Sequence, residues 1–165
     1  MKAAFLIIDL QNAWSRETSA KEMASAVEYI NAALPLFREK KLPVVWISHA
    51  DADDGVEPGT AGFEMIAGLT PEEGELHITK RYGNAFTKTE LDACLKAAGV
   101  DTLILAGYCA EYCVTSTLVG ADDHDYTPIL YRGGIASGST ENRLAVERAH
   151  DIVSYSALKK MLENG

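Results

Sequence analysis

Asp9, Lys80 and Cys113 are the residues of this chain whose types could together make a nucleophilic site. Each stands just past an apolar run of strand length: Ala3–Ile8 before Asp9, Leu76–Thr79 before Lys80, and Thr102–Ala106 before the Gly107–Thr117 stretch that carries Cys113. A thiol can attack an acyl carbon, a carboxylate can take its proton, and an ammonium can hold the resulting anions. Cys113 follows a strand and Gly107 and falls in the first turn of a helix that begins by about Glu111. Free backbone N–H groups and the positive end of the helix dipole favour a thiolate there, so a lowered thiol pKa is predicted. Taken singly, each residue also has a plain reading: a buried core cysteine, a capping aspartate, a solvated lysine.

The elements that would position these groups alternate in type. Apolar runs at Ala3–Ile8, Pro43–Ser48, Leu76–Thr79, Thr102–Ala106 and Thr127–Tyr131 read as strands, with Asp151–Tyr155 as a last edge strand. Between them, Ser19 with Glu22 predicts a capping box opening a long helix, whose Met23, Val27, Ile30 and Leu34 should face the sheet. Pro35 should kink that helix. Thr87 or Thr89 should cap a helix that Gly99 closes, Ser139 opens another, and Ser156 starts a terminal one. The Cys113 helix should run to about Asp125. Glu57–Gly74 reads as a long, glycine- and proline-marked connection with one short helix near Phe63–Ile66. The alternation predicts an α/β fold, a three-layer αβα, doubly wound, mostly parallel Rossmann-like sheet of about six strands, in one domain over 1–165. In such a sheet the carboxyl ends of the strands share one edge, where Asp9, Lys80 and Cys113 could meet in a crevice.

Composition narrows the possible roles. A net charge of −9 argues against nucleic acid and anionic membrane as partners and leaves a small-molecule substrate open. Three cysteines, none in a C-x-x-C pair, make neither a disulfide framework nor a zinc site. With no signal-peptide pattern or span of membrane length, the expected location is cytoplasmic.

The motifs Leu6-Ile7-Ile8-Asp9-Leu10-Gln11-Asn12, Pro58-Gly59-Thr60, Lys80-Arg81-Tyr82-Gly83-Asn84-Ala85-Phe86, Thr89-Glu90-Leu91, Gly99-Val100 and Gly107–Thr117 resemble the isochorismatase-like cysteine hydrolase superfamily, which includes nicotinamidases and N-carbamoylsarcosine amidase. The resemblance covers most of the chain in the family's order. It implies an Asp9–Lys80–Cys113 triad, a cis peptide matching Tyr108–Cys109, and an oxyanion hole from the backbone N–H groups of Cys109 and Cys113. It also implies hydrolysis of an amide or carbamoyl C–N bond through a thioester, and a homodimer or homotetramer. Because isochorismatases that cleave a vinyl ether lack the cysteine, Cys113 favours carbon–nitrogen chemistry. An ether hydrolase and a catalytically silent binding or scaffold homologue are the alternatives.

Substrate-pocket walls are expected from Trp14, His49, Phe63, Tyr82, Phe86, Tyr108 and Tyr112. Two departures from the family pattern stand out. Nicotinamidases hold a metal through Asp-x-His, whereas this chain has His49-Ala50-Asp51 in reverse order. No cofactor is expected, and a metal site from His49, Asp51 and Asp53 is the minor reading beside a solvated acidic loop. Relatives also carry an acid near Gly133, where this chain has Arg132-Gly133-Gly134. Arg132 should lie at the surface, with reach to a substrate carboxylate as its secondary reading. Cys94 is expected to fill core, and Cys109 to occupy a tight turn as a small side chain, with a regulatory disulfide to Cys113 as the other reading.

Overall fold

In the computed structural model, which describes residues 1–164, six parallel strands form one sheet in the order β3-β2-β1-β4-β5-β6. They are β1 (Ala3–Ile8), β2 (Val44–His49), β3 (Leu76–Lys80), β4 (Thr102–Tyr108), β5 (Thr127–Ala136) and β6 (Ile152–Val153). The helices are α1 (Glu17–Arg38), α2 (Leu91–Ala97), α3 (Thr115–Asp123), α4 (Thr140–Ala149) and α5 (Tyr155–Asn164). β1 is apolar at every position because both of its faces are covered. Phe5 and Ile7 pack on one side with Met23, Ile30 and Phe37 of α1 and Leu158 of α5. Leu6 and Ile8 pack on the other with Leu91 and Leu95 of α2, Leu118 of α3 and Val146 of α4.

The chain winds outward from β1 to β3, then returns to place β4 beside β1, so the sheet reverses between β1 and β4. That switch point is where open α/β sheets form their ligand crevice. Asp9 leaves β1 on one side of it and the Cys113 turn leaves β4 on the other. Gly107 is what lets the two strands close there. Its φ is +123°, and a Cβ on it would lie 2.0 Å from the Ile8 carbonyl oxygen, against backbone that cannot yield. Gly107→Ala is expected to cost at least about 2–3 kcal/mol and to lower the melting temperature by roughly 5–10 °C. Thermal unfolding checks this; an unchanged midpoint would show that β1 and β4 separate easily.

Several local expectations are corrected. α1 begins at Glu17, with Arg16 at the N-cap; Ser19 lies one turn in, and its hydroxyl accepts the Arg16 N–H at 2.9 Å. Glu22 closes no capping box, because its carboxylate is drawn to the Ser137 N–H at 2.9 Å and the Arg143 guanidinium at 3.2 Å. α1 continues through Pro35 to Arg38. Phe63–Ile66 forms turns and an isolated bridge from Met65 to Gln11, not a helix. α2 starts at Leu91 after Glu90, one to three residues later than a Thr87 or Thr89 cap implies, and ends in a Schellman turn at Gly99. β5 runs past Tyr131 to Ala136, and the final edge strand is the short Ile152–Val153. Gly133 is what permits the longer β5: its φ is +80°, and a Cβ there would lie 2.6 Å from the Tyr29 ring, so no acidic side chain fits.

Candidate active site

Asp9 is the residue at which the chain turns out of β1, and it does so with φ +51°. Aspartate tolerates this left-handed conformation better than most side-chain-bearing residues. Its carboxylate is buried, and Oδ2 accepts a hydrogen bond from Lys80 Nζ at 2.7 Å. Lys80 closes β3, and its side chain has no exposed surface. The Tyr108–Cys109 peptide is cis, and the chain then makes a π-helical turn over Ala110–Val114 that carries Cys113 into α3. The helical start expected near Glu111 is thus a wider turn, in which Val114 N–H donates to the Cys109 carbonyl at 3.1 Å. Asp9, His49 and Cys113 each bring one polar atom to within 4.8 Å of the others.

The electrostatics of this group differ from the sequence expectation. Burial, reinforced by the Asp9 charge, pushes the Cys113 thiol up to about 12, while Lys80 acts the other way. The start of the helix does not overcome this, so the resting sulfur is a thiol. Burial also raises Asp9 above the usual carboxylate range, opposed by the Lys80 charge and the hydrogen bond from Lys80. Asp9 Oδ1 has no hydrogen-bond partner among the described residues, which leaves a free acceptor. His49 is held below its usual value by burial and by the neighbouring Lys80 charge, so its imidazole is neutral at pH 7.

A cavity of about 190 Å³ opens onto Cys113, lined by Asp9, Trp14, His49, Tyr108, Cys109 and Tyr112. Four of the seven expected wall residues are therefore present. The other three are elsewhere. Phe86 is buried in the opposite core layer, stacked on His124 at 4.7 Å between ring centres. Tyr82 is exposed and accepts a hydrogen bond from Lys88 at 3.0 Å, and Phe63 contributes a backbone carbonyl to Gln11 at 2.9 Å. Arg132 is exposed and does not line the cavity. Cys94 is half-buried on α2 and not a core filler.

Two residues with no assigned role in the sequence prove to organise the site. Gln11, fully buried, donates to the His49 carbonyl at 3.0 Å and accepts the His49 N–H at 2.8 Å, a two-point hold on the end of β2. The signal available was a polar residue two positions past the reactive strand end. Glu111 accepts hydrogen bonds from Cys109 Sγ at 3.1 Å, Ser137 Oγ at 2.9 Å and Asn142 Nδ2 at 2.9 Å, tying the Ala110–Val114 turn to β5 and α4. Burial and Glu111 push the Cys109 thiol up to about 11, which suits a structural cysteine better than a redox partner.

The proposed metal ligands do not gather. Asp51 Oδ1 accepts the N–H groups of Asp53 and Asp54, closing its own turn, and His49 Nδ1 faces Lys80 Nζ at 3.0 Å. The donors that do lie together, Asp9, His49 and Cys113, have the Lys80 ammonium where a metal cation would have to bind. A metal does not fit this arrangement.

The family model described as the isochorismatase domain matches residues 3–153. The uncharacterized isochorismatase family protein YrdC of Bacillus subtilis is 30% identical over 119 residues, 70% of this chain; the chain spans only 64% of that relative's length. An isochorismatase-like hydrolase from Alkaliphilus metalliredigens superposes with a TM-score of 0.87 at 25% identity, covering 99% of both chains. The N-carbamoylsarcosine amidase of Thermoplasma acidophilum gives 0.80 at 25% identity, covering 93% of this chain and 95% of its own.

Proposed function

Because this chain belongs to the isochorismatase family, we propose that it is a cysteine hydrolase cleaving the C–N bond of a small, uncharged carboxamide through a thioester on Cys113. The observation that carries this reading is that Asp9 and Cys113, from two strand ends, line one cavity, while Lys80, from a third, is bonded to Asp9. Similarity to an amidase over most of both chains supports C–N chemistry.

Each group has a step. Asp9 takes the Cys113 proton as the sulfur attacks the carboxamide carbon, so a free thiolate never has to accumulate in the buried site. The oxyanion is received by the backbone N–H groups of Cys109 and Cys113. Protonated Asp9 then gives its proton to the departing nitrogen, the C–N bond breaks and ammonia leaves. Water attacks the thioester carbon, Asp9 takes the water's proton, and the C–S bond breaks to release the acid and restore the thiol. Lys80 holds Asp9 in place and offsets the negative charge that passes to sulfur.

The cavity walls bear on substrate charge. Trp14, Tyr108 and Tyr112 offer ring surface, and the lining holds one acid, Asp9, and no lysine or arginine. A substrate carboxylate would be desolvated beside a like charge, which is strongly unfavourable. An ammonia-release screen tests both parts of the reading. Nicotinamide, benzamide and propionamide are expected to outperform maleamate and N-carbamoylsarcosine by at least about tenfold in kcat/KM. Preference for the acidic amides would overturn the charge selection; silence towards every amide would overturn the amidase.

The pH profile follows from the same geometry. Asp9 must be ionised to accept a proton, so kcat/KM should fall as pH drops through a pKa that burial raises above 3.8. With the thiol at about 12 and acting only as a proton donor to Asp9, no rise attributable to thiolate formation is expected between pH 7 and 9. Rate measurements across that range check this; a rate climbing tenfold per pH unit would indicate attack by pre-formed thiolate instead.

A further inference from the structure

We infer that His49 is a positioning residue for Lys80: resting on the cysteine-hydrolase reading above, it holds the buried ammonium so that one N–H is directed to the reacting sulfur. An ammonium has three donors and no acceptor. In this site two of them have fixed partners. Lys80 Nζ donates to Asp9 Oδ2 at 2.7 Å and to His49 Nδ1 at 3.0 Å, and the Cys113 sulfur lies within 4.8 Å of a polar atom of each of those two residues. With the first two fixed, the direction of the third follows from the tetrahedral nitrogen. Since the Lys80 side chain has no solvent-exposed surface, water cannot replace a lost partner at low cost.

His49 is itself built to do this. Gln11 grips its backbone N–H and carbonyl at 2.8 and 3.0 Å, which fixes where the ring begins. The ring stands at 68° to the Trp14 ring, with the two ring centres 6.2 Å apart. Facing the ring are Lys80, Asp9 and Asp51, and the imidazole is neutral, so Nδ1 can accept. A mere wall residue would need only bulk; an acceptor must present a lone pair at the Nδ1 position. Asparagine can place its side-chain carbonyl oxygen near that position, and phenylalanine or leucine cannot.

The test uses the full-length protein and iodoacetamide, a small carboxamide whose attack by Cys113 is read by peptide mass spectrometry. His49→Phe and His49→Leu are expected to slow Cys113 alkylation about 10–100-fold, the cost of one charged hydrogen bond lost from a buried donor. His49→Asn should stay within about threefold of the unsubstituted protein. With an amide found by the ammonia screen, the loss should fall on kcat more than on KM. The same variants are ranked by melting temperature, where Phe and Leu should lie at least about 2–4 °C below Asn because the ammonium hydrogen is stranded. Asn as slow and as unstable as Phe, or Phe equal to the unsubstituted protein in both measurements, would overturn the proposal. A Cys113 no more reactive than Cys94 before any substitution would instead refute the nucleophile reading. The stability ranking would then decide whether His49 holds Lys80.

Discussion

Cys113→Ala is expected to abolish amide hydrolysis, with kcat falling about 10⁵–10⁶-fold, while the fold persists. The size of the loss follows from what is removed: the atom that bonds to the substrate carbon, without which Asp9 and Lys80 have no nucleophile to serve. The fold should survive because Cys113 is only partly buried and its side chain is small. A cost within about 1 kcal/mol is anticipated, or a few degrees in melting temperature. Cys113→Ser is the sharper companion. An alcohol is a far poorer proton donor to Asp9 than a thiol, so near-complete loss is expected even though a potential nucleophile remains. Rates measured on purified, folded variants check both. Turnover surviving in the alanine variant would remove the covalent route, and with it the roles assigned to the oxyanion donors.

The second large effect is on Asp9→Asn, which should lose both activity and stability. Asparagine keeps the shape and removes the base, worth about 10²–10⁴-fold in rate. It also leaves Lys80 buried at 2.7 Å from a neutral amide in place of its counter-ion. Breaking a buried pair from one side costs about 3–5 kcal/mol, because the remaining charge is uncompensated. For a chain of 165 residues that is roughly 6–20 °C in melting temperature. The contrast with Cys113→Ala is the useful part: one substitution should be inactive and folded, the other inactive and weakened. An Asp9→Asn protein as stable as the parent would mean that Lys80 sheds its proton or finds solvent. The buried ion pair would then not be what organises the site.

The sequence made the strand ends legible and left most of the site's finer chemistry hidden. Runs such as Ala3–Ile8 and Thr102–Ala106 are readable because a strand covered on both faces must be apolar throughout. Parallel order then puts Asp9 and Cys113 on one edge. Helix starts were less readable. Ser19-x-x-Glu22 has the pattern of a capping box, but Glu22 serves Ser137 and Arg143 more than a hundred residues away, and no local pattern records that. The strand expected over Thr127–Tyr131 stops short of Gly133 and Gly134. In the fold β5 continues through them to Ala136, and a Cβ on Gly133 would lie 2.6 Å from the Tyr29 ring.

Aromatic type did not reveal which way a ring faces. Phe86 follows the reactive Lys80 closely in sequence yet stacks on His124 in the far core layer, whereas Trp14 and Tyr112 do reach the cavity. The protonation state of Cys113 was misjudged for a related reason. A position at the start of a helix favours a thiolate, but burial and the neighbouring Asp9 outweigh it here. His49 read as wall or metal ligand, because no spacing in the sequence announces that Lys80 occupies the place where a metal would bind.

Chemical trapping on the unsubstituted protein addresses the central claim, attack by Cys113, most directly. During turnover of an amide found by the ammonia screen, hydroxylamine is added and the reaction is split between acid quench and product analysis. The expected result is a Cys113 peptide heavier by the acyl group, with hydroxamate formed at the expense of free acid. Continued hydrolysis with no acylated Cys113 and no hydroxamate would contradict the covalent account.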